Sequence, residues 1–132
     1  MIVVDASAIL ELLLHTPLAA AIADRALDPA ESMHAPHLLD VEVMQVLRRL
    51  VAKGAMTSDR ARSAITDFYD LAIERHEHID LLSRIWELRD SLSAYDATYL
   101  ALAEALQSPL LTCDGKLARA GGHEGRIELI AR

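Results

Sequence analysis

The stretch from Ser93 to Asp114 constrains the fold more than any other part of the sequence. It begins as a nearly all-apolar helical segment, breaks at Ser108-Pro109, and continues as a short apolar strand that ends in aspartate. One carboxylate stands at each joint: Asp96 in the first turn of the helix, and Asp114 directly after the strand. A charge at the edge of an apolar element is costly unless something pairs with it, so both are candidate site residues.

The same pattern occurs in two other parts of the chain. Asp5 closes the apolar run from Met1 to Val4, and Glu42 falls inside an amphipathic helical segment that begins near Leu38. Functional groups of open parallel sheets gather at the carboxyl ends of the strands, so we expect Asp5 and Asp114 to lie close together. Four acids from four distant segments predict one metal site.

Strand-like and helical segments alternate along the chain, which predicts an α/β fold: a three-layer α/β/α sandwich with a central, mainly parallel sheet. The expected strands are Met1 to Val4, a short extended piece Met33 to Ala35, an exposed strand Ile73 to Ile79, a buried strand Leu110 to Cys113 and an edge strand Ile127 to Ile130. The expected helices are 6–14, 17–27, 38–53, 57–71, 81–89, 93–107 and 116–120.

The chain has 132 residues, which predicts one domain over residues 1–132 with an aliphatic core. No apolar run reaches the roughly 20 residues that span a bilayer, so we expect a soluble, cytoplasmic protein without membrane association. The single cysteine, Cys113, is expected to be a small buried hydrophobe. A net charge of −7 argues against general nucleic-acid binding unless divalent cations neutralise the acids.

Four short motifs carry a family resemblance that spans the chain. They are Asp5-Ala-Ser7, Glu42 followed by Leu47-Arg48-Arg49, Tyr95-Asp96-Ala97, and Thr112-Cys-Asp114. In this order and spacing they resemble the PIN-domain ribonucleases, and more narrowly the VapC-type toxins of toxin-antitoxin pairs. One departure is Gln45, which stands three residues after Glu42 where many members of the family have asparagine.

The resemblance implies an endoribonuclease that depends on Mg²⁺, with Mn²⁺ as a substitute. Asp5, Glu42, Asp96 and Asp114 would bind the metal and position the attacking water. Ser7 and Thr112 would orient a carboxylate or a metal-bound water, although local backbone hydrogen bonding explains both hydroxyls equally well. The resemblance also implies a homodimer and a VapB-like antitoxin that blocks the site. Leu10, Leu13, Leu14 and Leu39 are candidates for these contacts, with core packing as their alternative role.

Basic residues on the predicted third helix, and one near the last acid, are candidates for an RNA phosphate track. They are Arg48, Arg49, Lys53 and Lys116. The alternative is that the helical residues form an ordinary solvated face.

Two other functions compete with the nuclease. In the first, the chain is a non-catalytic binding or scaffold domain whose aspartates only cap helices, a role in which aspartate contributes about 1 kcal/mol. In the second, it is a phosphatase of the haloacid-dehalogenase type, which would need an aspartate where this chain has Ser7. We expect no zinc site, because the histidines fall mostly in expected loops and no pair has zinc-ligand spacing. Gly121, Gly122 and Gly125 form a turn and lack the spacing of a nucleotide-binding loop.

Overall fold

A computed structural model describes residues 1–131 and shows a five-stranded sheet at the centre of the molecule. Its strands are β1 (Ile2–Val4), β2 (Met33–Pro36), β3 (Ile73–His76), β4 (Leu110–Thr112) and β5 (Ile127–Leu129). The spatial order is β3-β2-β1-β4-β5, and every neighbouring pair is parallel. The prediction of an α/β fold with a mainly parallel sheet is confirmed.

Seven helices within residues 1–131 complete the three-layer α/β/α sandwich. They are α1 (Ala6–Leu13), α2 (Ala19–Ala26), α3 (Leu38–Ala52), α4 (Ser58–Asp70), α5 (Leu82–Glu87), α6 (Ala94–Ala105) and α7 (Gly115–Ala118). Each lies close to a segment expected from the sequence. None of the helices described is both long and apolar enough to cross a lipid bilayer.

The central strands and α6 form the core because their sequences are apolar on every side. All residues of β1 and β4 are buried, and in α6 every side chain from Ala97 to Ala103 is buried as well. A helix that is apolar all round must be covered on all sides. The stretch from Ser93 to Asp114 therefore contains the central helix, α6, and its neighbouring strand, β4.

Two strands differ from the sequence prediction. The segment expected as one strand from Ile73 to Ile79 is a strand only as far as His76, and a single 3₁₀ turn follows over Ile79–Leu81. Ile79 is exposed, so the sheet does not bury this side chain and the turn gains no hydrophobic stabilisation from extending β3. The extended piece expected at Met33 is a fully buried strand, because it pairs on both sides, with β1 and with β3.

His34 differs from the other histidines, most of which are expected in loops, because it lies in the extended piece that the sequence predicts. His34 belongs to β2 and is only 4% exposed. Burial lowers the pKa of its ring, an effect that the nearby carboxylate of Glu74 opposes. Leu10, Leu13 and Leu39 are also buried, so core packing accounts for these three side chains.

We expect Leu111→Ala to destabilise the protein by about 2 to 5 kcal/mol, because it removes a completely buried side chain from β4 and leaves a cavity. Leu129→Ala is the matched control: Leu129 lies on the edge strand and is 43% exposed, so its loss should cost about 1 kcal/mol or less. Urea unfolding followed by circular dichroism measures both. Equal losses in the two variants would contradict the assignment of β4 to the core.

Candidate active site

The four predicted acids come from four different elements. Asp5 follows β1, Asp114 follows β4, Glu42 lies in α3 and Asp96 lies in the first turn of α6. Since β1 and β4 are parallel neighbours, Asp5 and Asp114 leave the sheet at the same edge. The pairing places the ends of the two strands that carry these aspartates side by side.

Asp96 connects the four acids electrostatically. Burial is the main cause that raises the pKa of Asp5, to about 6, and the negative charge of Asp96 adds to the effect. Burial and the same charge of Asp96 raise the pKa of Glu42, against a hydrogen bond that lowers it. The pKa of Asp96 is itself raised, first by burial and then by Asp114. The negative charge of Asp96 therefore acts on Asp5 and on Glu42, and that of Asp114 acts on Asp96.

Asp5 is the most enclosed of the acids, with only 5% of its surface exposed. Its Oδ1 accepts hydrogen bonds from the Ser7 hydroxyl at 2.7 Å and from the Ala8 backbone N–H at 3.0 Å. Its Oδ2 accepts a hydrogen bond from the Thr112 hydroxyl. These donors oppose the effect of burial on the pKa and hold the carboxylate in one orientation.

The hydroxyls of Ser7 and Thr112 also bind backbone groups across the site. Ser7 Oγ accepts the N–H of Cys113 at 2.9 Å, and Thr112 Oγ1 accepts the N–H of Asp114 at 3.0 Å. Thr112 therefore makes the local backbone contact of the alternative interpretation, whereas the backbone partner of Ser7 lies 106 positions away. Each hydroxyl also donates to Asp5. Together they fasten the end of β1 to the end of β4.

Tyr99 is a site residue that the sequence analysis missed. Its hydroxyl donates to Glu42 Oε1 at 2.5 Å, although the two residues are 57 positions apart. Tyr99 is 1% exposed, and burial followed by the hydrogen bond to Glu42 raises the pKa of its hydroxyl. The available signal was a phenol three residues after Asp96 in a mostly apolar helix, because residues three apart share a helix face.

The aspartates also cap helices, as the alternative interpretation requires. Asp5 caps α1, and Asp114 caps α7 by accepting the N–H of Lys116 at 2.8 Å. Ser93 caps α6 by accepting the N–H of Asp96 at 3.2 Å. Capping alone does not account for Glu42, which lies inside α3, or for the mutual repulsion that Asp96 creates.

The donor set suits a hard divalent cation. Carboxylate oxygens are the ligands that Mg²⁺ and Mn²⁺ prefer, and a cation would relieve the repulsion among the four acids. No three of these acids bring their ligand atoms within 4.8 Å of one another in the part of the chain that is described. In proteins Mg²⁺ usually keeps several of its waters and takes few protein ligands.

The predicted phosphate-binding residues are all exposed. Arg48, Arg49 and Lys53 lie at the carboxyl-terminal end of α3, and Lys116 lies in α7 beside Asp114. Within residues 1–131 none of the four forms an ion pair, so their charges face solvent. Gln45, where this chain departs from the family pattern, is exposed as well.

Comparison with known families identifies the class of this fold. The model of the PIN domain matches residues 2–123. The chain therefore belongs to the PIN-domain family, whose nucleases generally depend on divalent metal ions.

Within this family the chain groups with the VapC ribonucleases. Ribonuclease VapC9 of Mycobacterium tuberculosis is 43% identical over 132 residues, which cover 100% of both chains. Ribonuclease VapC12 of the same organism is 40% identical over 131 residues, which cover 99% of this chain and 100% of that protein.

Solved structures show the same fold at lower identity. The crystal structure of PAE2754 from Pyrobaculum aerophilum superimposes with a TM-score of 0.71 at 24% identity and covers 96% of this chain and 81% of that one. The Mycobacterium tuberculosis toxin VapC20, described as cleaving the sarcin-ricin loop, gives a TM-score of 0.66 at 16% identity, over 89% and 93% of the two chains.

We expect Asp5→Asn to reduce the pH dependence of stability. The folded-state pKa of Asp5 is raised from 3.8 to about 6, so folding is favoured at low pH and that contribution is lost as the pH rises toward 6 and above. Asparagine cannot ionise and keeps an acceptor for Ser7 and Ala8. The change in unfolding free energy between pH 5 and pH 8 should therefore shrink by about 1 to 2 kcal/mol.

Urea unfolding at both pH values, with EDTA present, measures this change. The exposed Asp90→Asn variant is the control and should retain the pH dependence of the unaltered protein. An unchanged pH dependence in Asp5→Asn would show that this carboxylate is not held in the environment described.

We expect Tyr99→Phe to weaken Mn²⁺ binding by roughly 10 to 100-fold, the range typical for loss of a group that orients a metal ligand. The substitution removes only the hydroxyl that holds Glu42, and because this hydrogen bond lowers the pKa of Glu42, metal binding should also require higher pH. Calorimetric Mn²⁺ titrations at several pH values measure both effects. Tyr69→Phe, at a position 84% exposed, serves as the control. Equal Mn²⁺ affinities in the two variants would contradict the role of the Tyr99 hydroxyl in orienting Glu42.

Proposed function

We propose that the chain acts as a single PIN domain with metal-dependent endoribonuclease activity, as the toxin of a toxin-antitoxin pair. The observation that carries this proposal is the match to VapC ribonucleases over 99 to 100% of the chain at 40 to 43% identity. The charge effects that Asp96 exerts on Asp5 and Glu42, and Asp114 on Asp96, support it. The site supports hydrolysis of an RNA phosphodiester bond by an activated water.

Asp5, Glu42, Asp96 and Asp114 are the residues that would hold Mg²⁺, with Mn²⁺ as a substitute. When bound, such an ion polarises a phosphoryl oxygen and lowers the pKa of an attacking water. Ser7 and Thr112 keep the Asp5 carboxylate fixed, and Tyr99 does the same for Glu42. The chain thus supplies ligands that are oriented before substrate arrives, which avoids reorganisation during the reaction.

Arg48, Arg49 and Lys53 form the proposed phosphate track on α3, and Lys116 extends it beside Asp114. Glu42 and Lys53 are 11 positions apart in sequence, so the track runs along roughly 16 Å of helix from the site. Its positive charges are local and compensate for the net charge of −7 where the RNA backbone would lie.

The proposed partners are a VapB-like antitoxin and a second copy of the chain. VapC toxins pair with VapB antitoxins, and the structure described as VapBC2 from Rickettsia felis bound to a promoter DNA fragment has the same fold, with a TM-score of 0.65 at 15% identity. Val41 and Met44 are apolar residues of α3 that are 68% and 46% exposed, so they are candidates for an apolar partner contact. We place the protein in the cytoplasm, and sedimentation of the purified chain tests the homodimer.

The competing functions have less support. A phosphatase of the haloacid-dehalogenase type would need a second aspartate at position 7, where the Ser7 hydroxyl is instead bound to Asp5. A non-catalytic scaffold would not need Tyr99 to hold the half-buried carboxylate of Glu42 on a different helix. The direct test that distinguishes these functions is whether the purified protein cleaves RNA.

We expect purified protein to cut total RNA into discrete products with Mg²⁺ or Mn²⁺, and to lose this activity in EDTA. Asp96→Asn should reduce the rate of cleavage by roughly 100-fold or more, because it removes the acid that is coupled by charge to each of the other three. Electrophoresis of the RNA products over time provides the rate.

The matched control is Asp90→Asn, which changes an exposed aspartate just before the helix that carries Asp96 and should leave the rate unchanged. Circular dichroism establishes that each variant is folded. If the folded, unaltered protein neither cuts RNA nor binds Mn²⁺, the scaffold function is favoured, and the aspartates serve only as helix caps.

A further inference from the structure

A second group of metal-ligating side chains lies on the other half of the sheet. His34, Glu74 and His76 each offer one ligand atom, and these atoms all lie within 4.8 Å of one another. In the part of the chain that is described, this is the one group of three or more histidine, cysteine and acidic side chains with such spacing. It belongs to β2 and β3, whereas Asp5 and Asp114 follow β1 and β4.

The parallel register of β2 and β3 creates this group. His34 is paired with Glu74, and Pro36 is paired with His76, which places His76 two residues further along the neighbouring strand. Side chains two residues apart on a strand point to the same face, so Glu74 and His76 both approach His34. His34 Nδ1 lies 2.9 Å from His76 Nε2 and 3.5 Å from a Glu74 carboxylate oxygen.

The hydrogen bonds of His34 leave the nitrogen that faces the group available as a ligand. Ser32 Oγ lies 2.9 Å from His34 Nε2, so a proton on Nε2 can be donated to the serine. His34 Nδ1 then carries a lone pair, which accepts from His76 Nε2 in the absence of metal. A hydrogen bond on the far ring nitrogen that fixes tautomer and orientation is the usual arrangement around histidine ligands.

We propose that His34, Glu74 and His76 form a zinc site that is separate from the acid site. Two imidazole nitrogens and one carboxylate oxygen are a recognised set of three zinc ligands, and the fourth position would be taken by water. On binding, Zn²⁺ replaces the His34–His76 hydrogen bond, and the proton of His76 moves from Nε2 to Nδ1, so no net proton is released. The four carboxylates of the acid site favour harder ions instead.

The proposed site lies open to solvent on one side. His34 is buried, His76 is half-buried and Glu74 is exposed, so an ion can reach the group without opening the core. Because β3 is an edge strand that pairs only with β2, a bound ion would cross-link it to the sheet. Zinc binding should therefore raise the thermal stability of the protein, as any ligand of the folded state does.

The test uses untagged protein that has been treated with EDTA and desalted. Zn²⁺ is titrated in competition with a colorimetric chelator, and Co²⁺ is used in parallel as a visible-absorption probe of the ligand environment. We expect one zinc ion per chain. Glu74→Gln and His76→Gln change residues outside the core and should weaken binding by roughly 100-fold or more, since losing even an outer partner costs about 10 to 100-fold.

Two controls locate the ion. His78→Gln changes an exposed histidine two residues away and should bind zinc like the unaltered chain. The double variant Asp96→Asn/Asp114→Asn disables the acid site and should keep the zinc ion and its Co²⁺ spectrum. Zinc that is lost in this double variant but kept in His76→Gln would overturn the proposal. So would folded protein that binds no zinc, which would leave His34 and His76 as a hydrogen-bonded pair only.

Discussion

The buried carboxylate of Asp5 is the constraint on which the site depends. A carboxylate with 5% exposure is strongly destabilised unless donors surround it, and this chain supplies two hydroxyls and one backbone N–H. One donor, Thr112, lies 107 positions away and reaches Asp5 only because β1 and β4 are paired. The sheet, the hydrogen-bond network and the orientation of the Asp5 carboxylate are therefore one structural unit.

Much of this unit could be predicted from the sequence, because its signals are local. Two short apolar runs that each end in aspartate predict buried parallel strands with acids at one edge, and both aspartates lie there. Tyr99 could not be predicted in the same way. Its partner Glu42 is on another helix, and which face of α6 meets which face of α3 depends on packing that periodicity does not describe.

The histidines show the same limit more sharply. A search for zinc ligands along a sequence looks for pairs at short, regular spacing, whereas His34 and His76 are 42 positions apart. They meet because β2 pairs with β3 in one particular register, and a shift by one residue would turn the side chains to opposite faces. Strand register is specified by the whole sheet and therefore cannot be predicted from a local sequence pattern.

The pairing of β1 with β4 also orders events during protein synthesis. The strand that opens the chain cannot complete its hydrogen bonds until Leu110 and Leu111 have left the ribosome. Until Thr112 and Asp114 have also been made, Asp5 lacks its hydroxyl donor from β4 and the set of four acids is incomplete. The acids can therefore be assembled only after synthesis has passed Asp114, and the three that are made earlier must wait for it.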